Sequence, residues 1–204
     1  FSYGQLGFSH HATEDYGVLN TLPGISIYTP GSKSEATLCI ENCLKNDGVS
    51  YLRIDKSHFE EKDHKKGLPT DTNPRELFSG DETLIIGVGG ILEEAFDVVN
   101  FFKEKFNKNI GLVSLPKIKP LNKKFLLSIM RDYKNIITLE EHNLVNGISS
   151  IIKEVCFDND FYPNTFHSFG INDLFSSVVG DQKFLRKENN IDSDSLIKYI
   201  GSLK

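Results

Sequence analysis

The amino-acid sequence predicts an α/β fold with a doubly wound, mainly parallel sheet in the second part of the chain. Short apolar strand candidates alternate there with amphipathic helix candidates, and the connections between them are brief. The candidate strand Thr83–Val88 is apolar at nearly every position. Strands that are buried on both faces of a parallel sheet show this pattern. We therefore expect helices on both sides of the sheet.

The first part of the chain, up to residue 57, predicts a smaller α/β unit. A His-bearing loop is followed by a short helix, the strand Ile25–Tyr28, the helix Ser34–Asn46 and the strand Ser50–Ile54. This order is typical of an active-site loop on a parallel sheet. The sequence has no Met at its start and no strand before the loop, so we expect the chain to begin inside a domain.

Residues 58–81 predict a linker between the two units. The segment is rich in Lys, Glu, Asp, Gly, Pro and Thr and has neither helical nor strand periodicity. Its mixed charges predict a solvated surface rather than a binding site.

After the linker, strand and helix candidates alternate to the end of the chain, which makes residues 82–204 the second unit. We expect this unit to fold by itself. The candidates are Thr83–Val88, a helical stripe from Leu92 to Phe106, Ile110–Leu115, the helix Asn122–Tyr133 with Phe125, Leu126 and Ile129 facing inward, Asn135–Leu139, a helix from Gly147, the strand Asn164–Phe169, and two short helices up to Leu203.

Composition and charge exclude several function classes. Of 204 residues, 39% are hydrophobic and 25% are charged, as in ordinary globular proteins. The 23 basic and 28 acidic residues give a net charge of −5 without a strong basic cluster, so we expect no nucleic-acid partner. No apolar run reaches the roughly 18 residues of a membrane span, so we expect no membrane association.

The three cysteines predict thiols in a reducing cytoplasm, because an odd number does not form a disulfide framework. Cys39 and Cys43 are spaced so that they could share a metal. Together with Ala36, Ile40 and Leu44, however, they form one face of the predicted helix. This pattern favours core packing over zinc binding.

Two motifs of the second unit have structural interpretations that we favour over functional ones. Gly87-Val88-Gly89-Gly90 joins a strand to a helix, but Leu92 replaces the last glycine of a dinucleotide-binding pattern. We expect the glycines to form a tight turn. Glu140-Glu141-His142-Asn143 lies at a predicted strand end, where α/β folds place ligands. We expect capping of the next helix or a subunit contact instead.

His10 and His11 are the strongest candidates for ligand binding. They lie on a Gly-rich loop before a helix that contains Glu14 and Asp15, a place suited to an anionic or hydroxylated ligand. Ser9 suggests a Ser/His nucleophile, but we expect adjacent residues of an extended loop to point apart. Lys56, just after the second strand, could supply a cation to the same ligand.

The order of these segments resembles the transketolase family. Gly7-Phe8-Ser9-His10-His11-Ala12-Thr13-Glu14-Asp15, Leu22-Pro23-Gly24 and Tyr28-Thr29-Pro30 are similar to the second half of its pyrimidine-binding domain. Five further segments are similar to the family's C-terminal domain: the turn at Gly87–Glu94, Ile118-Lys119-Pro120-Leu121, Glu140–Asn143 with Asn146-Gly147, Gly170–Phe175 and Ile191-Asp192. The resemblance covers nearly the whole chain and is closest to C-terminal subunits of split transketolases.

The resemblance implies a thiamine diphosphate enzyme that moves a two-carbon ketol unit between sugar phosphates. In that family a separate N-terminal portion holds the diphosphate and a divalent metal ion, Mg²⁺ or Ca²⁺. The pyrimidine domain supplies an activating Glu, and the active site lies between two chains. The matching Glu would lie upstream of Phe1. We therefore expect no catalytic residue, no bound cofactor and no activity in this chain alone, and a partner that completes a homodimer or heterotetramer.

Three residues receive substrate roles from the resemblance. His10 matches the loop histidine that contacts the substrate phosphate, with His11 beside it. Lys56 falls where many members have a phosphate-binding Arg, and it keeps the charge without the bidentate fork. Leu6 replaces an Asp that binds a substrate hydroxyl, so we expect an unusual donor sugar.

Two alternatives remain open at this point. The same two domains occur in the beta component of 2-oxo acid dehydrogenases and in 1-deoxyxylulose-phosphate synthases, although the Ser9-His10-His11 loop favours transketolase. A non-catalytic assembly module is the other alternative. A truncated first unit would expose a sheet edge and an apolar face, so residues 1–57 should be disordered, rearranged or packed on a partner.

Overall fold

The structure is a computed structural model that describes residues 1–56 and 69–203. Its helices are α1 (Asp15–Asn20), α2 (Lys33–Lys45), α3 (Leu92–Phe106), α4 (Lys123–Met130), α5 (Ile148–Asp158), α6 (Gln182–Glu188) and α7 (Ser193–Ser202). Its strands are β1 (Ser26–Tyr28), β2 (Ser50–Leu52), β3 (Arg75–Phe78), β4 (Thr83–Val88), β5 (Gly111–Ser114), β6 (Lys117–Lys119), β7 (Asn135–Asn143) and β8 (Thr165–Ile171).

The larger sheet confirms the predicted fold class. Its strand order is β3-β5-β4-β7-β8, in which β5, β4, β7 and β8 run parallel and β3 pairs antiparallel at one edge. Helices cover both faces. One apolar core lies between the sheet and α3, α6 and α7, and the other lies between the sheet and α1, α4 and α5.

The smaller sheet contains two strands from the first unit and one from the second. Its order is β2-β1-β6, with β1 parallel to β2 and antiparallel to β6. Strand β6 follows β5 in the second unit and lies between Pro116 and Pro120. The β1–β6 pairing therefore covers one edge of β1 with a strand of the second unit.

Polar contacts reinforce this junction. The Thr29 hydroxyl donates to the backbone carbonyl oxygen of Leu115 at 2.8 Å. The Lys119 ammonium donates to the carbonyl oxygens of Asn20 and Leu22 at 2.6 Å each. Because these groups come from both sides of the linker, residues 1–56 are packed on the second unit rather than detached from it.

The predicted linker differs from the structure at its C-terminal end. Residues 57–68 lie outside the described residues. Within the rest of the segment, Arg75–Phe78 forms the edge strand β3, which pairs with β5. Only four residues long and with two charged side chains, this strand lacks the apolar run by which a buried strand is predicted.

The buried face of α2 is shifted from the predicted one. Cys39 is fully buried, and its thiol donates to the carbonyl oxygen of Pro116 at 3.4 Å, which confirms core packing. Cys43 is half-buried, whereas Ile40 and Leu44 are 43% and 82% exposed. The helix instead buries Glu35, which accepts from the Gly31 amide and the Ser114 hydroxyl at 2.9 Å.

A similar shift occurs in α4. Leu126 is fully buried and Ile129 is half-buried, but Phe125 is 45% exposed. Phe125 lies in the first turn, where its amide donates to the Asn122 side chain at 3.2 Å. Leu126 and Met130 carry the contact with the sheet instead, because they are four residues apart on one helix face. No helix in the described ranges has the length and apolarity to cross a membrane.

Candidate functional site

The loop that carries His10 folds as two successive 3₁₀ turns, Gly4–Leu6 and Phe8–His10, joined by Gly7. Gly7 has a φ of 78°, a backbone conformation that favours glycine. The loop is therefore compact rather than extended, which changes the expected orientation of Ser9. The Ser9 hydroxyl lies 3.1 Å from His10 Nδ1, so the prediction that the two side chains point apart is wrong.

His10 is exposed and borders a cleft of about 210 Å³. The same cleft is lined by Asp15, Tyr51, Arg53 and Asp55. Within the described ranges no hydrogen bond reaches His10 Nε2, while Nδ1 faces Ser9. The imidazole thus presents one nitrogen to the cleft, where it can contact an anionic or hydroxylated ligand.

Lys56 lies at an adjoining cleft of about 500 Å³, whose walls include Leu6, Glu93, Gln182 and Lys183. Its ammonium lies 4.2 Å from the centre of the Tyr3 ring, and its amide donates to the Ser2 hydroxyl at 3.1 Å. Ser2 and Tyr3 line both clefts. The structure therefore brings His10 and Lys56 to two clefts that share Ser2 and Tyr3, although 46 positions separate His10 from Lys56 in sequence.

His11 has a different environment from His10. Its ring meets the Phe1 ring edge-on with centroids 5.0 Å apart, and its Nε2 is buried without a hydrogen-bond partner among the described residues. Burial, together with the nearby Phe1 amino group, lowers the pKa of His11. His11 does not line either cleft, so its position is that of a packing residue.

Arg53 is a residue of this site that the sequence analysis did not single out. Its Nε donates to Asp15 at 3.0 Å, and its Nη2 donates to the backbone carbonyl oxygens of Ala12 and Glu141 at 2.9 Å each. The Tyr51 hydroxyl donates to the same Asp15 oxygen at 2.7 Å. These bonds fix the segment that follows His10. An arginine directly after a strand of the first unit was the available signal.

The Glu140–Asn143 segment forms the last four residues of β7, and its side chains are buried. Glu140 accepts from the amides of Ile148 and Ser149 at 2.7 and 3.0 Å, which confirms that it caps α5. The Tyr16 hydroxyl also donates to Glu140. A Cβ at Gly147 would lie 2.4 Å from the Glu140 carboxylate, so only glycine permits this approach. The buried position does not fit a subunit contact.

His142 joins the two units through its ring. The ring stacks on Tyr16 with centroids 3.7 Å apart, and Nε2 accepts from the Gly17 amide at 3.2 Å. Nδ1 therefore carries the proton and donates to the carbonyl oxygen of Asn143 at 2.7 Å. Burial is the main cause that lowers the pKa of His142, so the imidazole is held neutral.

Glu141 belongs to a second buried cluster. It accepts from Arg186 Nε at 2.7 Å and from Gln182 at 3.1 Å, and it contacts the Phe1 amino group. Burial opposes ionisation, but the positive charges of the Phe1 amino group and Arg186 outweigh it and lower the pKa of Glu141. This cluster ties α6 to the end of β7.

Asp55 of the first unit contacts the glycine turn that follows β4. Gly89 has a φ of 77° and begins the turn into α3, and the Gly90 amide donates to Asp55 at 2.8 Å. A diphosphate bound at this turn would need that amide. The geometry supports the structural interpretation of the glycines over nucleotide binding.

The described residues contain no group of three or more His, Cys, Asp or Glu side chains placed to hold a metal ion. The described residues form two adjoining clefts, one lined by the imidazole of His10 and the other by the ammonium groups of Lys56 and Lys183, together with several hydroxyl and carboxylate groups. These groups can bind and orient a hydroxylated anion.

Fold and cleft together define the class of the protein: an α/β chain with a cleft where its first unit packs on the strand ends of its second unit. A narrower identification follows from the family model for the transketolase C-terminal domain, which matches residues 75–186. The match covers more than half of the chain. The chain belongs to the transketolase family.

Curated relatives extend the similarity beyond the family model. The chain is 30% identical over 204 residues to an apulose-4-phosphate transketolase subunit of Actinobacillus succinogenes, and the match covers 99% of this chain and 64% of that protein. It is 26% identical over 190 residues to the 1-deoxy-D-xylulose-5-phosphate synthase of Lawsonia intracellularis, covering 90% of this chain and 29% of that one. The chain thus spans less than two thirds of the length of either relative.

Solved structures share the fold. A protein described as a split gene transketolase, inactive beta4 tetramer, has a TM-score of 0.79 at 20% identity, over 95% of this chain and 62% of that one. The transketolase of Campylobacter jejuni has a TM-score of 0.69 at 14% identity, over 98% of this chain and 29% of that one. At these identities the likeness concerns the fold.

Proposed function

We propose that this chain is the C-terminal portion or subunit of a thiamine diphosphate-dependent transketolase that transfers a two-carbon ketol unit between sugar phosphates. The observation that carries the proposal is the match to one subunit of a transketolase along 99% of this chain. That match spans the two ligand-facing residues, His10 and Lys56, which the fold brings to adjoining clefts.

In this proposal His10 and Lys56 bind the substrate. A phosphate carries negative charge and several acceptor oxygens, so it is suited to the ammonium of Lys56 and to a donating nitrogen of His10. The Ser9 hydroxyl next to Nδ1 helps to orient the His10 ring. Arg53 and Asp15 act one step further away, because their contacts with each other and with Ala12 hold the loop.

Leu6 sets a limit on the substrate. It lines the Lys56 cleft and is 57% exposed. An aliphatic side chain cannot accept a hydrogen bond from a sugar hydroxyl, so the site favours a substrate without a hydroxyl at this point. Because one relative is named for apulose 4-phosphate, that sugar phosphate is a reasonable first choice of donor.

The cofactor and its metal ion, Mg²⁺ or Ca²⁺, belong in this proposal to a partner. When bound there, thiamine diphosphate supplies the carbanion that carries the ketol unit. We expect the partner to be an N-terminal transketolase chain, and the assembly to be a homodimer of the joined chains or a heterotetramer. The chain alone should then be inactive. We place the assembly in the cytoplasm, since the three cysteines are free thiols.

A second candidate function is a component of a 1-deoxyxylulose-phosphate synthase. The supporting observation is the match to such synthases, including one from Halothermothrix orenii that is 27% identical over 198 residues. The matches cover 31% or less of the Lawsonia and Halothermothrix synthases, so this chain corresponds to one portion of a longer protein.

The test combines this chain with the thiamine diphosphate-binding transketolase chain encoded in the same genome. The mixture is supplied with thiamine diphosphate, Mg²⁺ and either ketose phosphates or pyruvate as the donor, and glyceraldehyde 3-phosphate as the acceptor. We expect ketol transfer from a ketose phosphate with both chains present, and none when either chain is omitted. Carbon dioxide release from pyruvate would favour the synthase. No turnover with either donor would favour a non-catalytic assembly module.

A further inference from the structure

A group of exposed apolar side chains borders the clefts of His10 and Lys56. Its members are between 55% and 75% exposed and come from the 3₁₀ turns and from the connection between β8 and α6: Leu6, Phe8, Leu174, Phe175 and Val179. We call this group the Phe175 surface. Single exposed apolar residues are common on proteins, whereas contiguous groups mark contact surfaces.

The two segments of the Phe175 surface touch each other. The rings of Phe8 and Phe175 have centroids 5.4 Å apart. Val179 faces Gly7, since a Cβ at Gly7 would lie 3.3 Å from Val179 Cγ1. The apolar side chains therefore form one continuous surface, although about 165 positions lie between the segments in sequence.

The loop between β8 and α6, which carries Leu174, Phe175 and Val179, is attached to the rest of the fold at both ends. At its C-terminal end, Gly180 packs against the first 3₁₀ turn, because a Cβ at Gly4 would lie 2.5 Å from the Gly180 carbonyl oxygen. Near its N-terminal end, Asp173 accepts from the Asn143 side chain at 3.2 Å. The loop is held at both ends while its apolar side chains face solvent.

The amino-acid composition of this loop is typical of the centre of a protein–protein interface. Residues 174–179 read Leu-Phe-Ser-Ser-Val-Val and contain no charged side chain. Aromatic and aliphatic groups are enriched, and charges depleted, at the centres of protein–protein interfaces. Phe157 offers a contrast, because it is 73% exposed on α5, which lies on the opposite face of the large sheet.

We propose that the Phe175 surface is the docking surface for the cofactor-carrying chain. Leu6 belongs both to this surface and to the wall of the Lys56 cleft. A chain seated on the surface therefore faces the cleft in which the substrate is bound. The proposal rests on the proposed function, which requires a second chain to bring the cofactor to this cleft.

The experiment measures the dissociation constant between this chain and the thiamine diphosphate-binding transketolase chain of the same genome, by isothermal titration calorimetry. Phe175→Ser is compared with Phe157→Ser, which makes the same change at a residue of nearly equal exposure. We expect the Phe175 change to weaken binding at least about tenfold. The Phe157 change should leave the dissociation constant as in the wild type. Circular dichroism checks that both variants are folded.

Equal dissociation constants for the two variants would overturn the proposal. The proposal would also be overturned if sedimentation showed that the isolated chain is a dimer and that the Phe175→Ser variant is a monomer. The Phe175 surface would then bind a second copy of this chain. The binding measurement does not depend on turnover. A complex that forms through Phe175 but transfers no ketol unit would therefore contradict the proposed function and leave the docking surface in place.

Discussion

Arg53 and Asp15 form an ion pair of 3.0 Å that joins the end of β2 to the start of α1. About nine tenths of each side chain is buried, with 9% of Arg53 and 11% of Asp15 exposed. Because the same guanidinium donates to the carbonyl oxygens of Ala12 and Glu141, it connects the His10 loop to the strand ends of both sheets. The shape of the cleft therefore depends on a contact between distant parts of the chain.

Replacing Arg53 with Met should destabilise the chain strongly. The change removes the Arg53 donor from two carbonyl oxygens and from the Asp15 carboxylate, which keeps only the neutral Tyr51 hydroxyl. Breaking a buried ion pair costs about 3–5 kcal/mol. Urea unfolding of the full chain measures the loss. The matched control is Lys134→Met, which breaks the exposed pair of Lys134 with Glu82. We expect the control to unfold like the wild type, because exposed pairs contribute little. Equal losses in the two variants would contradict this role of Arg53.

The three cysteines should differ in reactivity toward an aromatic disulfide reagent. Burial is the main cause that raises the pKa of the Cys39 thiol to about 12 and of the Cys156 thiol to about 11. Because the thiolate is the reactive species, both should be protected in the folded chain. Half-buried Cys43 should react first. We expect one rapid equivalent, which Cys43→Ser removes, and three equivalents after unfolding. Rapid labelling of Cys39 would show that α2 is not packed as described.

The stability of the chain should fall as the pH is lowered from about 8 to about 5.5. Burial lowers the pKa of His142 below 6.5 in the folded state, so the unfolded chain binds more protons just below that pH. Burial also lowers the pKa values of His11 and His167, so these residues too reduce the stability of the folded chain as the pH falls. Burial raises the pKa of Glu140, so protonation of this carboxylate favours the folded chain as the pH falls.

Two measurements isolate the contribution of His142. The free energy of unfolding of a His142→Gln variant should depend less steeply on pH than that of the wild type. Proton NMR of the wild type should show a His142 imidazole that becomes protonated only at a pH below 6.5, because burial lowers its pKa. A ring that titrates near 6.5 would contradict the buried neutral form, whether or not the variant folds.

In the reconstituted enzyme, His10→Ala and Lys56→Ala should each raise the KM for a phosphorylated donor. A hydrogen bond to a charged group contributes about 1.5–3 kcal/mol, which corresponds to a factor of about 10 to 150. The KM for the same sugar without its phosphate should change little, and this substrate is the control. Lys56→Arg should keep or improve binding because of its bidentate fork. Equal effects on both sugars would contradict a phosphate contact.

The most regular elements could be predicted from the sequence with little error. Thr83–Val88 is a strand with the predicted bounds, and a short apolar run of this kind is typical of a strand buried on both faces of a parallel sheet. Strand β7 is different: it was expected to end at Leu139 but continues to Asn143. Its last four residues are polar, and they are buried because Tyr16, Gly17 and Arg186 bond to them. No local pattern contains that information.

The candidate site was predictable in its residue types and not in its geometry. His10 and Lys56 were identified from a loop and a strand end, and the structure brings them to adjoining clefts. His11 was grouped with His10, yet its ring packs on Phe1, because His11 follows the 3₁₀ turn in extended backbone and not in the turn itself. Arg53 was missed, since its function depends on partners that are distant in sequence.

The sequence by itself determined the class of fold, the order of the main elements and the family, because these follow from hydrophobic periodicity and from motifs in a fixed order. The tertiary structure decided which side chains meet. It placed β6 against β1, closed the glycine turn with Asp55, and buried Glu140 and His142 under Tyr16. These outcomes depend on hydrogen bonds and packing between residues far apart in the chain, and such contacts exist only once the chain has folded.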